Sequence, residues 1–523
     1  MNLETLIEKV RGLAPGLEVS DRGDELYFRV APAELRPVCL RLHQELAAPV
    51  SLMFATDDRA ANAGFGIWCG FRANGHKKWI FARAAVTPGE PRFDSLSSDV
   101  HSASFFEREI KEMFGIEPLG APDTRRLKLH DEVWPEGFYP LRKDFIAPPT
   151  GDTGLPQYRF ARGEGEGIFE VPVGPVHAGI IGPGHFRFSV AGEPIINLEI
   201  RLGFSHRGAE KLFEGKKEDA ARLAERVSGD SSFAHGLAFC RAIEKINGVV
   251  PPPRAVWLRA IFLELERLYN HAADMGGMAL DVGFSLPATH ASALKESIQR
   301  VNQLLTGSRF LKNVVTPGGM LGDIDEGKRH VFLAALPGFR EDFDLLRSML
   351  MESVSFMDRV DSTGILKRKT AHDLGIAGLS ARASGIQQDL RKDFGGTPYE
   401  QARFKAAFEQ SGDVLARLRV RFSEFEESLR LLREFAELLP TGDSRGVDLR
   451  CRAGYALGYA EGWRGPVLYW VRADGSGAVE RCKIVDPSFL NWQGMAYCVL
   501  GDIIPDFPLC NKSFDLSYSG NDL

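Results

Sequence analysis

Between residues 208 and 438 the chain carries the hydrophobic period of an α-helix in five separate segments. The segments 208–246, 254–275, 289–312, 329–357 and 399–438 all show it, and Ile261, Leu265, Leu268 and Ala272 mark one stripe. Helices of this kind must bury their stripes against one another, which predicts a bundle. Strand-like runs frame it. Ala191–Ile200 precedes the helices, and Val467–Val471 and Val479–Ile484 follow them around Asp474-Gly475, a hairpin signal. Residues 169–523 therefore read as a mainly α-helical domain with β-strands at both ends.

Residues 1–145 read as a separate α+β domain. Leu26-Tyr27-Phe28-Arg29-Val30 has strand character and Ala33–Leu46 helix character, while Phe71 and Trp79-Ile80-Phe81 flank a hairpin turn at Asn74-Gly75. Ser104-Phe105-Phe106-Glu107 has the spacing of a capping box, opening a helix with Phe106, Ile110, Met113 and Phe114 on one face. Between the domains, residues 146–168 hold Pro148, Pro149, Pro156, Gly151, Gly154, Gly163, Gly165 and Gly167. That density reads as a linker.

The 523 residues include 64 Lys+Arg and 70 Asp+Glu, a formal charge of -6 with no basic block, which argues against nucleic acid as a partner. No apolar run reaches the length of a membrane span, and Met1-Asn2-Leu3-Glu4 does not resemble a secretion signal. The expectation is a soluble, cytoplasmic protein that reaches a membrane only through partners. The seven cysteines, Cys39, Cys69, Cys240, Cys451, Cys482, Cys498 and Cys510, form no CxxC pair. This argues against a disulfide framework and against an all-thiolate metal site within the chain. Gly276-Gly277 and Gly395-Gly396 lack the strand–GxGxxG–helix context of a dinucleotide site.

Several literal motifs add a resemblance. In the first domain these are Glu107-Arg108-Glu109-Ile110-Lys111-Glu112-Met113-Phe114-Gly115-Ile116, Asp123-Thr124-Arg125-Arg126-Leu127 and Tyr139-Pro140-Leu141-Arg142-Lys143-Asp144-Phe145. They resemble the 30-kDa subunit of respiratory complex I and the matching domain of group 4 membrane-bound hydrogenases, a domain that implies a scaffold without cofactor. In the second domain the motifs begin with Gly174-Pro175-Val176-His177-Ala178-Gly179-Ile180-Ile181, Gly184-His185-Phe186-Arg187-Phe188 and His206-Arg207-Gly208-Ala209-Glu210-Lys211-Leu212. Glu225-Arg226-Val227, Phe233-Ala234-His235, Glu264–His271 and Asp486-Pro487-Ser488-Phe489 follow in order. These resemble the complex I 49-kDa subunit and NiFe-hydrogenase large subunits. The fusion of both domains looks most like the large subunits of formate hydrogenlyase and hydrogenase-4.

The resemblance also shows what is missing. Metal-bearing relatives supply four thiolates from two CxxC pairs. Here those positions fall on Ser228, Ser231, Ser517 and Gly520. A serine hydroxyl stays protonated at neutral pH and is a hard donor, so no NiFe centre and no other metal is expected. Cys510 lies outside the motif and is expected to be a buried, inert thiol. Relatives tend to place a Glu ahead of the Gly-His, where this chain reads Gly182-Pro183. The energy-converting-hydrogenase-related type lacking the NiFe cysteines fits best.

The implied role is a redox-complex subunit in contact with a small iron–sulfur subunit, which carries the cluster, and with antiporter-like membrane subunits, on the cytoplasmic side of the inner membrane. A quinone or another acceptor would use the former metal cavity, and the alternative is a silent scaffold of the same complex. His177, His185 and Asp230 are the candidate proton or acceptor residues, because neutral histidine exchanges protons near pH 7 and a carboxylate can be tuned toward it. Arg226 and Arg464 are the expected partners of Asp230. His235 is expected to hold a loop through backbone carbonyls. Glu210-Lys211 and Glu264/Glu266/Arg267 are expected to form helix ion pairs of a few tenths of a kcal/mol.

Overall fold

The computed structural model describes residues 3–148, 158–161, 163, 165–177, 181–217, 219–446 and 451–523. Pro149, Gly151, Gly154 and Pro156 of the expected linker lie outside the described residues, as do Ala178, Gly179 and Ile180 of the first motif.

Strands β1 (Glu18–Arg22), β2 (Glu25–Arg29), β3 (Val50–Asp57), β4 (Phe65–Ala73) and β5 (Lys78–Val86) form one sheet in the order β1-β2-β5-β4-β3. In it β2 and β5 run parallel and the other pairs antiparallel. Helices α1 (Leu3–Arg11), α2 (Pro32–Leu46) and α3 (Ser104–Phe114) accompany it, with α2 against β5 and α3 against β3. A short parallel pair, β6 (Arg92–Asp94) and β7 (Glu117–Leu119), completes the domain. The β4–β5 hairpin forms as expected, but its turn is a 3-10 turn over Asn74–His76 and the positive φ falls on Lys77. The expected capping box does not form. Ala103 precedes α3 in helical conformation, and Glu107 is buried, accepting instead from the Ser95 hydroxyl and the Leu96 N–H, both at 2.6 Å.

The second domain opens with an antiparallel sheet of β8 (Ile168–Val173), β9 (His185–Ala191) and β10 (Ile195–Arg201). The described residues that lead into it are tied down. The Tyr158 hydroxyl donates to Glu199 at 2.7 Å, and the Phe160 ring lies against His185 and beneath Arg187. The 208–246 segment is not one helix but three: α4 (Ala209–Leu212), α5 (Ala220–Ala224) and α6 (Ser232–Asn247). The break before α6 falls on Ser228-Gly229-Asp230-Ser231, whose side chains bond locally and compete with the helix. Next come α7 (Pro253–Asp281), α8 (Ser285–Thr306), the two-residue strands β11 (Val315–Thr316) and β12 (Gly319–Met320), α9 (Glu326–Met351) and α10 (Val354–Val360). Three short helices, α11 (Arg368–Asp373), α12 (Gly378–Ala383) and α13 (Leu390–Asp393), lead to α14 (Val414–Glu437). The 399–438 segment is thus helical only from Val414, because the Asp413 carboxylate caps the Ala416 N–H and starts α14 there.

Helix α7 is the axis of the bundle, packed by α8, α14 and α16 (Phe507–Phe514). The sequence shows one apolar stripe, yet every residue from Trp257 to Ala272 is buried. Its charged residues must therefore be paired inside the protein. After α14 the chain returns as an antiparallel sheet, β13 (Gly454–Glu461), β14 (Pro466–Ala473) and β15 (Val479–Val485), followed by α15 (Pro487–Cys498), α16 and α17 (Tyr518–Asp522). One side of this sheet packs on α6. The other enters the N-terminal core, where Trp470 lies 4.9 Å from Trp68 and 4.7 Å from Phe54. A buried ion pair joins the domains as well, Lys483 on Glu109 at 2.6 Å, and the Arg481 Nε donates across to the Ala55 carbonyl at 3.2 Å.

Candidate functional site

Four turns of chain, distant in sequence, converge on the positions where the resemblance places metal ligands. The α5–α6 turn brings Ser228, Asp230 and Ser231; the turn before β14 brings Arg464; the start of α15 brings Asp486; and the stretch into α17 brings Asp515, Ser517 and Gly520. The Ser228 and Ser517 hydroxyls hydrogen-bond each other at 2.8 Å, and Ser228 donates to Asp230 at 2.9 Å. Arg464 grips Asp230 at two points, 2.8 and 2.6 Å. Its Nη1 lies 3.5 Å from Ser231 Oγ, its Nε donates to the Asp515 carbonyl, and its guanidinium stacks 3.8 Å over the Trp463 ring. Burial works against the Arg464 charge, but Asp230 and Asp515 outweigh it and hold the guanidinium above its ordinary range.

Arg226 does not take part. It is exposed and donates to the Arg222 carbonyl, so the expected pair with Asp230 forms with Arg464 alone of the two arginines. The Asp230 side chain is 40% exposed, and the carboxylate lies at the rim of the cluster rather than inside it. The Asp230 carbonyl does face inward, accepting from Asn270 at 2.7 Å, Trp463 at 3.1 Å and Tyr269 at 3.3 Å.

The Asp-Pro-Ser-Phe motif holds this cluster from below. Asp486 caps α15 through the Ser488 N–H at 2.7 Å, and Ser488 Oγ accepts from the Ser517 N–H at 2.9 Å. Asp486 also bonds His235 Nε2 at 3.0 Å, while His235 Nδ1 meets the Tyr469 hydroxyl at 2.9 Å. His235 is thus held by side chains, not by the expected carbonyls, and it does not touch Asp230. Gly520 sits against the same carboxylate, where a Cβ would lie 2.6 Å from Asp486 Cγ and Oδ2. A cysteine at 520 has no room unless Asp486 moves.

His177 and His185 belong to the neighbouring β8–β9 connection. His185 Nδ1 lies 3.3 Å from the Gly174 carbonyl, and burial holds this imidazole below its ordinary range although that carbonyl opposes the shift. The His177 ring meets Phe186 at 5.6 Å. The loop reaches the cluster through Tyr518, whose ring presses on Gly182 so closely that a Cβ there would lie 2.6–2.9 Å from its atoms. Position 182, beside which relatives tend to carry a glutamate, therefore has no space for a side chain.

Behind the cluster lie acidic groups whose role is not legible in sequence. Glu266 is fully buried, accepts the Phe233 and Ala234 N–H groups at 2.7 and 3.1 Å, and is raised by burial to about 8. Asp274 pairs with Arg421 at 2.8 Å, yet burial and the nearby Asp515 push it well above the usual carboxylate range. Asp515 is held below that range: Lys512 at 2.7 Å and Arg464 overcome its burial. Glu264 takes Arg391, Arg267, Tyr399 and Ser428. Glu424 takes Arg267, Arg382 and His271. These interactions knit α7, α12 and α14 together in the interior. The expected helix ion pair does form between Glu264 and Arg267, at 3.2 Å, but both side chains are fully buried, so the few tenths of a kcal/mol of an exposed pair do not apply; Glu266 accepts from backbone N–H groups instead.

The donor set at the four ligand positions is two mutually bonded hydroxyls, a third hydroxyl near a guanidinium, and a glycine. It does not fit a nickel–iron centre, which needs soft thiolate donors. Among the described residues no group of three or more His, Cys, Asp or Glu side chains is placed to hold a metal ion. Cys510 is buried, and its thiol is pushed up by Cys498 and by burial.

An α+β domain fused to a mainly helical bundle with strands at both ends defines a class. The chain belongs to the family of complex I 30-kDa and 49-kDa subunits and their hydrogenase relatives. The respiratory-chain NADH dehydrogenase 30 Kd subunit family matches residues 28–151, and the 49 Kd subunit family matches residues 281–451 and 445–522. Similar proteins include formate hydrogenlyase subunit 5 of Escherichia coli, 31% identical over 95% of this chain and 89% of the relative. Hydrogenase-4 component G of the same organism is 32% identical over 90% of this chain and 83% of the relative. NADH-quinone oxidoreductase subunit 4 of Thermus thermophilus is 29% identical over 72% of this chain and 98% of the relative.

Proposed function

We propose that the chain is a peripheral subunit of a membrane-associated redox complex, on the cytoplasmic side of the inner membrane, and that it works without a nickel–iron centre. It receives electrons from an adjacent small iron–sulfur subunit and couples their transfer to ion translocation by antiporter-like membrane subunits. The names of its relatives, a formate hydrogenlyase subunit, a NADH-quinone oxidoreductase subunit and a membrane-bound hydrogenase subunit alpha, support a place in such an assembly. Among the described residues no helix is long and apolar enough to cross a membrane.

The observation that carries this reading is the Ser228–Ser517 hydrogen bond beside the Arg464–Asp230 pair. Where the resemblance would place thiolates, the chain carries a charged, hydrogen-bonded rim. Asp230, His177 and His185 are the groups assigned to receive or deliver protons to an acceptor, with quinone as the acceptor class. A second reading, a coupling scaffold without turnover, is favoured by the close packing of Tyr518 on Gly182, which fills the approach from the histidine loop.

EPR on the intact complex, purified from membranes, tests the first reading. Its clusters are reduced, a quinone is added, and the cluster nearest this subunit is followed. Reoxidation that is lost in Asp230→Asn, with the complex still assembled, is the expected result. No reoxidation by any quinone leaves the scaffold. Stoichiometric nickel in the purified complex overturns both.

A further inference from the structure

A buried cation at the seam between the domains has no counterion in contact. Arg72, on β4 of the N-terminal domain, is 9% exposed, and its guanidinium donates to the side-chain oxygen of Gln388 in the C-terminal domain. Among the described residues no carboxylate lies within ion-pair distance of it. Burial pushes the guanidinium below its ordinary range, although Asp393, Glu461 and Asp389 oppose this from farther away, and Arg382 adds a repelling charge. Those acids are otherwise engaged. Glu461 contacts Arg382, Asp389 contacts Arg391, and Asp393 accepts from the Asp389 N–H. The interior arginines around α7 and α14 are served differently. Arg267, Arg382, Arg391 and Arg421 each touch a carboxylate, and Arg417 donates to the Ser513 hydroxyl and two backbone carbonyls.

Beside Arg72 lies a cavity of ≈ 40 Å³, lined also by Ser51, Gln388 and the Gly375–Gly378 stretch, with an apolar wall that includes Leu468 and Val485. It has more room than one water needs. No Asp or Glu among the described residues lines it. Its polar side chains can all donate: the guanidinium N–H groups not given to Gln388, the Gln388 amide NH2 and the Ser51 hydroxyl. These groups have no protein acceptor among the described residues, and they are not walled off from open space as fully buried orphan donors are. Trp79 Nε1 also lacks an acceptor, but it is walled off and takes no part. A buried charge beside unused donors and empty space calls for an acceptor from outside the chain.

We propose that this seam cavity binds one small monovalent anion, of the halide or nitrate class, held by Arg72 from the N-terminal domain and the Gln388 amide from the C-terminal domain, with the Ser51 hydroxyl beside them. The size of the cavity suits a bare ion and not an anion carried on an organic body. One uncompensated cation matches one negative charge. The apolar wall favours weakly hydrated anions, which lose least on leaving water. Because its donors come from both domains, the bound ion braces their contact and stabilises the folded chain by mass action. The inference stands apart from the redox role proposed above, and either can fail without the other.

Thermal melts of the full-length protein in sodium gluconate, with sodium bromide exchanged in at constant ionic strength, test it. Bromide is expected to raise Tm by about 1–3 °C and then to saturate. Arg72→Met is expected to lose that rise. Gln388→Glu sets a carboxylate against the guanidinium, so it is expected to melt above the parent in gluconate and to gain nothing from bromide. It supplies a counterion and leaves the cation in place, which keeps the test decisive even where Arg72→Met fails to fold. Crystals grown in bromide are expected to show an anomalous peak within hydrogen-bonding distance of Arg72. No saturable rise in the parent, an equal rise in Gln388→Glu, or a bromide-grown crystal without that peak overturns the proposal.

Discussion

Arg464 and Asp230 meet at two points, Nη1 to Oδ1 at 2.8 Å and Nη2 to Oδ2 at 2.6 Å, although 234 residues separate them. The guanidinium side chain is 4% exposed and the carboxylate 40%. This is a pair with one buried and one wet end, so its worth lies between that of a surface ion pair and a buried one. Asp230→Asn removes the anion but leaves Asp515 near Arg464. It is expected to cost about 1–3 kcal/mol, read as a lower urea midpoint with unchanged m-value.

Gly520 decides whether a thiolate set can be restored. Gly520→Ala puts a methyl group against the Asp486 carboxylate and pushes it off His235. The expected loss is about 1–3 kcal/mol in thermal or urea melts. Restoring cysteine at 228, 231, 517 and 520 together is expected to yield a less stable chain that holds no stoichiometric nickel by elemental analysis.

Glu266 makes stability depend on pH in an unusual direction. Its folded value of about 8 lies above the value of 4.5 for a free Glu, so between those limits the folded state holds a proton that the unfolded state has lost. Its contribution is complete below the unfolded value and is lost as pH rises toward 8. Glu266→Gln is expected to flatten the fall of Tm between pH 5 and pH 8. It also sets an amide NH2 against one of the two N–H donors, lowering stability across the range by about 1–3 kcal/mol.

Glu424 tests whether the interior ion network is structural. It accepts from His271 at 2.9 Å and contacts Arg382 at 2.7 Å and Arg267 at 3.1 Å, all fully buried. Glu424→Gln is expected to cost about 3–5 kcal/mol, because it leaves buried guanidinium charge without its counterion. An exposed control, Glu326→Gln on the α9 surface, is expected to change the urea midpoint by less than about 0.5 kcal/mol equivalent.

Much of the fold was legible in residue order because its signals are local. The period around Ile261–Ala272 marks α7, Asp474-Gly475 marks the β14–β15 turn, and the mixed strands and helices before residue 145 mark the α+β domain. The capping box at Ser104 failed for the opposite reason. Glu107 had a better partner in Ser95 and Leu96, which its spacing from Ser104 does not reveal.

At the candidate site, residue order determined that positions 228, 231, 517 and 520 carry no sulfur, since a serine or glycine side chain has none wherever it folds. The family resemblance put Arg226 and Arg464 forward as the partners of Asp230. Only the tertiary structure decided between Arg464 and Arg226, joined Ser228 to Ser517, and set Asp486 beneath Gly520. It alone shows that Glu266 and Asp274 lie where burial raises them above the usual carboxylate range. The reason is physical. Helix period and turn chemistry act over a few residues, whereas the pairing and protonation of buried charges depend on groups hundreds of residues away and on how much water the packed chain leaves around them.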